Sequence, residues 1–194
     1  MPLPLSIDDF GTHIASVWSE LRPATRGLIE RALQAASTGT QTPRNFQYDA
    51  RADLELSRFL AALDAEKNGK LKSIADTCAA VLLEKTESAE VFAQLVRRAE
   101  SQRDYRRIDT LADALTARFP PSEICELARS EDTIVRELAN EALARCPVSV
   151  LTALLNDPVD AETARAALRR QIIEYGSEEA RAIVNALDQA EEMM

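Results

Sequence analysis

Histidine occurs once in the 194 residues, at His13, and cysteine three times, at Cys78, Cys125 and Cys146. One imidazole cannot build a metal shell, and an odd number of widely spaced thiols does not make a disulfide framework. The cysteines therefore point to a reducing compartment, and the expected location is cytoplasmic. Glycine is down to 5 residues, and Val plus Ile to 19 against 55 Ala plus Leu, a bias that starves strands and favours helix. No apolar run approaches the roughly 18–20 residues of a membrane span. The N-terminus, MPLPLSIDDF, lacks the basic start and long apolar core of a signal peptide. There is no Gly-rich phosphate loop, no Gly-x-Ser-x-Gly elbow and no Glu-x-x-His pair. These absences lead us to expect no catalytic residue, no cofactor and no metal.

Apolar residues make up 46% of the chain and charged residues 28%, the balance of a soluble globule or an elongated helical array. Almost every segment repeats a polar cap, apolar residues at spacings of three and four, and a short break. Ser6 is expected to cap the first helix, ahead of Asp8 and Asp9, with Ile7, Phe10, Ile14, Val17, Trp18 and Leu21 in one stripe. Pro23 suits the first position of the second. Residues 37–47 form the longest polar break. Further helices are predicted at about 50–65, after a turn at 67–70, after Thr86 or Ser88, and at 104–118, where Pro120 and Pro121 stop the helix. Then come 122–129, 132–145, a short helix around Leu151, 160–174 and 178–190. That is about eleven helices and no convincing strand: an all-α protein. We divide it into a hairpin at 1–36, helical pairs at 48–121 and repeats at 122–194, in one continuous array.

The second half carries an imperfect repeat of just under 30 residues. Leu127 to Asp132 leads into Val135-Arg136, and Leu154 to Asp157 leads into Ala164-Arg165. Each unit reads as an apolar pair, an acidic turn and then a helix. Alone it cannot bury its apolar face; stacked copies can. LARSEDTIVRELANEALARCP resembles HEAT-type repeats, and CPVSVLTALLNDP resembles the shorter leucine-rich variant repeat. The likeness covers about residues 122–175, and the second unit departs from it with Ala164 in place of a branched Val. It implies a right-handed α-solenoid of stacked antiparallel helix pairs used for recognition, with Asp132 and Arg136 in structural roles. Residues 89–121 match a tetratricopeptide unit only at Phe92, Leu95, Tyr105 and Pro120.

Charge is uneven along the chain. The net is −9, but residues 97–118 are net +2 and residues 119–194 net −8. An acidic chain disfavours nucleic acid and anionic membrane surfaces as partners. Within it, Arg97, Arg98, Arg103, Arg106 and Arg107, interrupted by Tyr105, stand out as a docking patch for an acidic protein or peptide, because arginine pairs with carboxylates and stacks on aromatics. His13 is expected at the half-exposed rim of its helix. Cys78 is expected in the core. Cys125 comes nearest to a reactive thiol, but Glu123 and Glu126 flank it and would raise its pKa. The leading function class is a non-enzymatic protein–protein interaction scaffold. The alternatives are a HEAT-like enzyme resembling DNA glycosylases, which the acidic balance makes poor, and a homo-oligomeric sensory or assembly domain.

Overall fold

In the computed structural model, which describes residues 12–38, 48–66 and 69–193, the described residues hold eleven α-helices and no strand. They run α1 (Thr12–Glu20), α2 (Pro23–Thr38), α3 (Ala50–Ala65), α4 (Gly69–Lys85), α5 (Ala89–Ser101), α6 (Tyr105–Arg118), α7 (Pro121–Ala128), α8 (Thr133–Ala144), α9 (Val148–Leu154), α10 (Ala161–Tyr175) and α11 (Glu178–Glu192). None of these helices is long and apolar enough to cross a membrane. The expected cap at Ser6, with Asp8 and Asp9, lies outside the described residues. So does most of the 37–47 break, although Ser37 and Thr38 still belong to α2. The chain falls into two compact units, Met1–Val91 and Phe92–Met194, divided inside α5.

In the first unit α1 packs on α3, α2 on α4, and α3 on α4. Pro23 opens α2, where its missing N–H costs nothing. The core takes Ile14, Leu28, Ile29, Leu56, Phe59, Leu60, Leu71, Cys78 and Leu82. Trp18 stacks at a tilt on Phe59, ring centroids 5.3 Å apart. Polar ties fix the entry to α3. Arg22 Nη2 meets Asp49 Oδ1 at 2.7 Å and its Nε meets Glu55 Oε1 at 2.9 Å. Asp49 also accepts the Ala52 N–H as the cap of α3.

In the second unit α6 packs on α8 and α8 on α10, while α7 packs on α9 and α9 on α11. The sequential pairs α7–α8, α9–α10 and α10–α11 also pack together. The links are short: Phe119-Pro120 joins α6 to α7, and residues 129–132 join α7 to α8. Pro120 and Pro147 hold nearly the same backbone, φ −57° with ψ 141° and φ −55° with ψ 140°, ahead of α7 and α9. The residues before α6, α8 and α10 are Asp104, Asp132 and Asp160, each 28 positions after the last. The same interval relates buried residues along these helices: Leu111, Ala139 and Ala167, and again Leu115, Leu143 and Gln171. Of the apolar residues expected inside α8, Val135, Ala139, Ala142 and Leu143 are buried, whereas Ile134 and Leu138 are only half-buried.

Candidate functional site

The arginine cluster is assembled by the end of α5, the turn after it and the start of α6. Helix α5 presents Arg97 and Arg98 on its outer face, because Val96 and Ala99 face inward. It ends in a turn that reverses the backbone. The N–H of Asp104 bonds Ala99 O at 2.9 Å and that of Arg103 bonds Glu100 O at 2.8 Å. This closing pattern requires a left-handed residue, and Arg103 supplies it at φ 54°. Glycine is favoured there, since a Cβ crowds the backbone in that region. Asp104 then caps α6 by accepting the Arg107 N–H at 3.1 Å. Tyr105, at the first position of α6, stands 69% exposed.

Arg97, Arg103 and Arg106 are exposed and Arg107 half-exposed, and none of their guanidinium groups joins an ion pair among the described residues. Arginines further along the unit behave differently. Arg129 meets Asp160 Oδ1 at 2.8 Å. Arg136 donates to the carbonyls of Ser130, at 2.9 Å, and Glu131, at 3.2 Å. Arg145 meets Glu141 at 2.8 Å. Arg170 joins Glu141 at 3.1 Å and Glu174 at 2.7 Å. Arg165 and Arg169 share Asp188, and Arg181 takes Glu178. Asp160, Glu141, Glu174, Asp188 and Glu178 of the acidic C-terminal half are therefore paired with arginines of that same half.

The two residues of the repeat motif have local structural roles. Asp132 Oδ1 accepts the N–H groups of Ile134 and Val135, and Arg136 folds back onto the turn before it. Asp160 occupies the matching place but has an α-like backbone, φ −100° and ψ −15°, and makes no side-chain cap. Its carboxylate, 4% exposed with its residue, receives Arg129 from the preceding turn, and Arg129 also donates to Val159 O at 3.2 Å. This is the tie between successive turns.

Two buried polar clusters escaped the sequence reading. Asp53, 8% exposed, accepts the Tyr48 hydroxyl at one oxygen and the Thr86 hydroxyl, at 3.1 Å, at the other. Thr86 Oγ1 in turn accepts the Ser88 N–H at 3.1 Å. Burial raises the Asp53 carboxyl above its ordinary value, against the pull of the two hydroxyls. Burial, and then the hydrogen bond to Asp53, raises the Tyr48 phenol. The second cluster is Gln171, 5% exposed, whose Nε2 donates to Ala144 O at 3.1 Å and Cys146 O at 2.7 Å. It satisfies carbonyls at the end of α8. In both cases the signal in sequence was a polar residue at a core register position.

Burial pushes Cys125 up to about 12, with Asp160 adding to it, and burial also raises Cys146. Cys78 is buried in α4, and His13 is exposed on α1. No group of three or more His, Cys, Asp or Glu able to hold a metal ion occurs among the described residues. Comparison with protein families, curated proteins and solved structures returned no match to this chain.

Proposed function

We propose that this chain is a protein-interaction scaffold, not an enzyme, that its second unit is a short α-solenoid of HEAT-like helix pairs, and that the α5–α6 turn docks an acidic protein segment. Two rows of helices packed at every second position, with capping aspartates 28 residues apart, support the solenoid reading. One observation carries the docking site: Arg103 holds a glycine conformation while its guanidinium pairs with nothing among the described residues. The fold gains nothing from arginine there. Unpaired guanidinium groups beside an exposed tyrosine suit carboxylates on a partner.

The test is affinity capture from the native host with wild-type and Arg103→Glu/Arg107→Glu baits in parallel. The reading expects an acidic protein that wild type retains at about 0.1 M salt and releases at about 1 M, where the Debye length has fallen to about 3 Å. That protein should be missing from the variant. Identical capture by the two baits removes the proposal.

A further inference from the structure

Exposed charges outside ion pairs differ in balance from turn to turn in the second unit, positive at the α5–α6 turn and negative at the next two. Arg97, Arg103, Arg106 and Arg107 surround the α5–α6 turn. Glu126 and Glu131 flank the α7–α8 turn, and Asp157 and Glu162 the α9–α10 turn; all four are exposed and none is in an ion pair among the described residues. Short links and the packing of α6 on α8 and of α8 on α10 set the starts of α6, α8 and α10 along one edge of the unit. Arg129, reaching Val159 and Asp160, locks the second and third turns side by side. At the first turn five arginines stand with Glu100 and Asp104, and Asp104 is occupied in capping. Asp109 and Asp113 lie further along α6, away from the turn. At the second turn Glu126, Glu131 and Asp132 stand with two arginines, Arg129, whose charge Asp160 takes, and Arg136, which lies on the carbonyls of Ser130 and Glu131, so the turn keeps a negative balance.

An edge that is positive at one turn and negative at the next is complementary to itself. A two-fold axis between those turns lays the arginine turn of each copy on the acidic turn of the other, as an isologous contact requires. We infer that the chain self-associates through this edge, with Arg103 and Arg107 of each copy opposite Glu126 and Glu131 of a second copy. The inference rests on reading the arginine turn as an interaction surface and adds the identity of its occupant. Helices about 8–10 Å apart make this edge narrow, so the contact belongs to the small, transient class and is held by charge.

Sedimentation equilibrium on the full chain, over a concentration series at about 0.05 M and about 0.5 M salt, reads the prediction directly. Wild type should form a dimer at low salt that dissociates at high salt. Arg103→Glu/Arg107→Glu and Glu126→Arg/Glu131→Arg should each be monomeric, since each now opposes like charges. An equimolar mixture of the two should recover the dimer, because reversed ends face each other again. Circular dichroism reads the folding of each variant separately. Arg103→Gly, which removes one charge while relaxing the backbone, should weaken the dimer several-fold with no loss of helix. A wild type that stays monomeric at low salt overturns the inference, even where the capture experiment still finds an acidic protein. Folded variants that dimerise as wild type does, or a mixture that stays monomeric, overturn it too. Reconstitution by the mixture supports it, even where capture finds no other protein.

Discussion

Arg103 sits in the left-handed region, which costs an L-residue roughly 1–2 kcal/mol and glycine far less. Arg103→Gly is therefore expected to stabilise the protein by about 1 kcal/mol in urea unfolding; a loss of stability would mean that the guanidinium has an intramolecular partner. Gln171 makes the opposite case. Its Nε2 bonds two carbonyls at the end of α8 within the core. Gln171→Leu keeps the volume but leaves those carbonyls unpaired, so about 1–3 kcal/mol should be lost in the same measurement. In the first unit the titrating residues act in opposite senses. Hydrogen bonds from Arg22 and from the Ala52 N–H hold Asp49 down at about 2. The Glu55 carboxyl is also lowered: burial opposes this, but the bonds from Thr25 and Arg22 outweigh it. Groups depressed on folding contribute stability above their unfolded values, and lose it as pH falls through the folded ones. Asp53 is raised, so its contribution is complete below its unfolded value and fades as pH rises through the folded one. Wild type should accordingly lose stability between about pH 4 and about pH 2. Arg22→Gln should flatten that loss in pH-dependent melting.

Helices α6, α8 and α10 share a start and a buried register, yet each solves its N-terminus differently. Asp104 caps one N–H, Asp132 caps two, and Asp160 turns to Arg129. Asp132→Ala should cost about 1 kcal/mol, the usual worth of such a cap. The phase of α8 is tested by two leucines. Leu143 is 1% exposed, whereas Leu138 is half-buried, correcting the expectation that it lies in the core. Leu143→Ala should cost about 2–5 kcal/mol, and Leu138→Ala clearly less. Equal costs would mean that the helix is rotated from its described position. The spacing of apolar residues located these helices to within a residue or two, because a buried stripe must recur every 3.6 positions. It could not separate Leu138 from Leu143, since both belong to the stripe and only the neighbouring helices determine which edge is covered.

Among the described residues, ion pairs tie helices of one unit together, as with Arg170 and Glu137 or Glu141, and Arg165 and Arg169 on Asp188. Most of these side chains are partly exposed, so each pair is worth at most about 1 kcal/mol. Arg97, Arg103, Arg106 and Arg107 lie outside that network among the described residues. Reversing Arg103 and Arg107 should leave the melting temperature nearly unchanged, within the roughly 0.5 kcal/mol of ordinary surface sites. A marked drop would show that the turn belongs to the fold, and the docking proposal would lose its basis.

The all-α class was legible from composition alone, because 55 Ala and Leu with 5 Gly leave little to build a sheet. Helix order followed from local signals such as Pro23, Pro120 and Pro147, whose effects act within a turn of the chain. The arginine cluster was legible as a run of charge. That Arg97, Arg103, Arg106 and Arg107 join no ion pair among the described residues was not, since pairing depends on which carboxylates tertiary packing brings within reach. By linear distance the acidic second half could have neutralised it; packing instead gave Glu141, Asp188 and Glu178 to Arg145, Arg165, Arg169, Arg170 and Arg181. The same holds for Arg129 and Asp160, Tyr48 and Asp53, or Gln171 and the end of α8: the residue types are in the sequence, but partners more than 20 positions apart, or buried by a neighbouring helix, are chosen only when the helices pack.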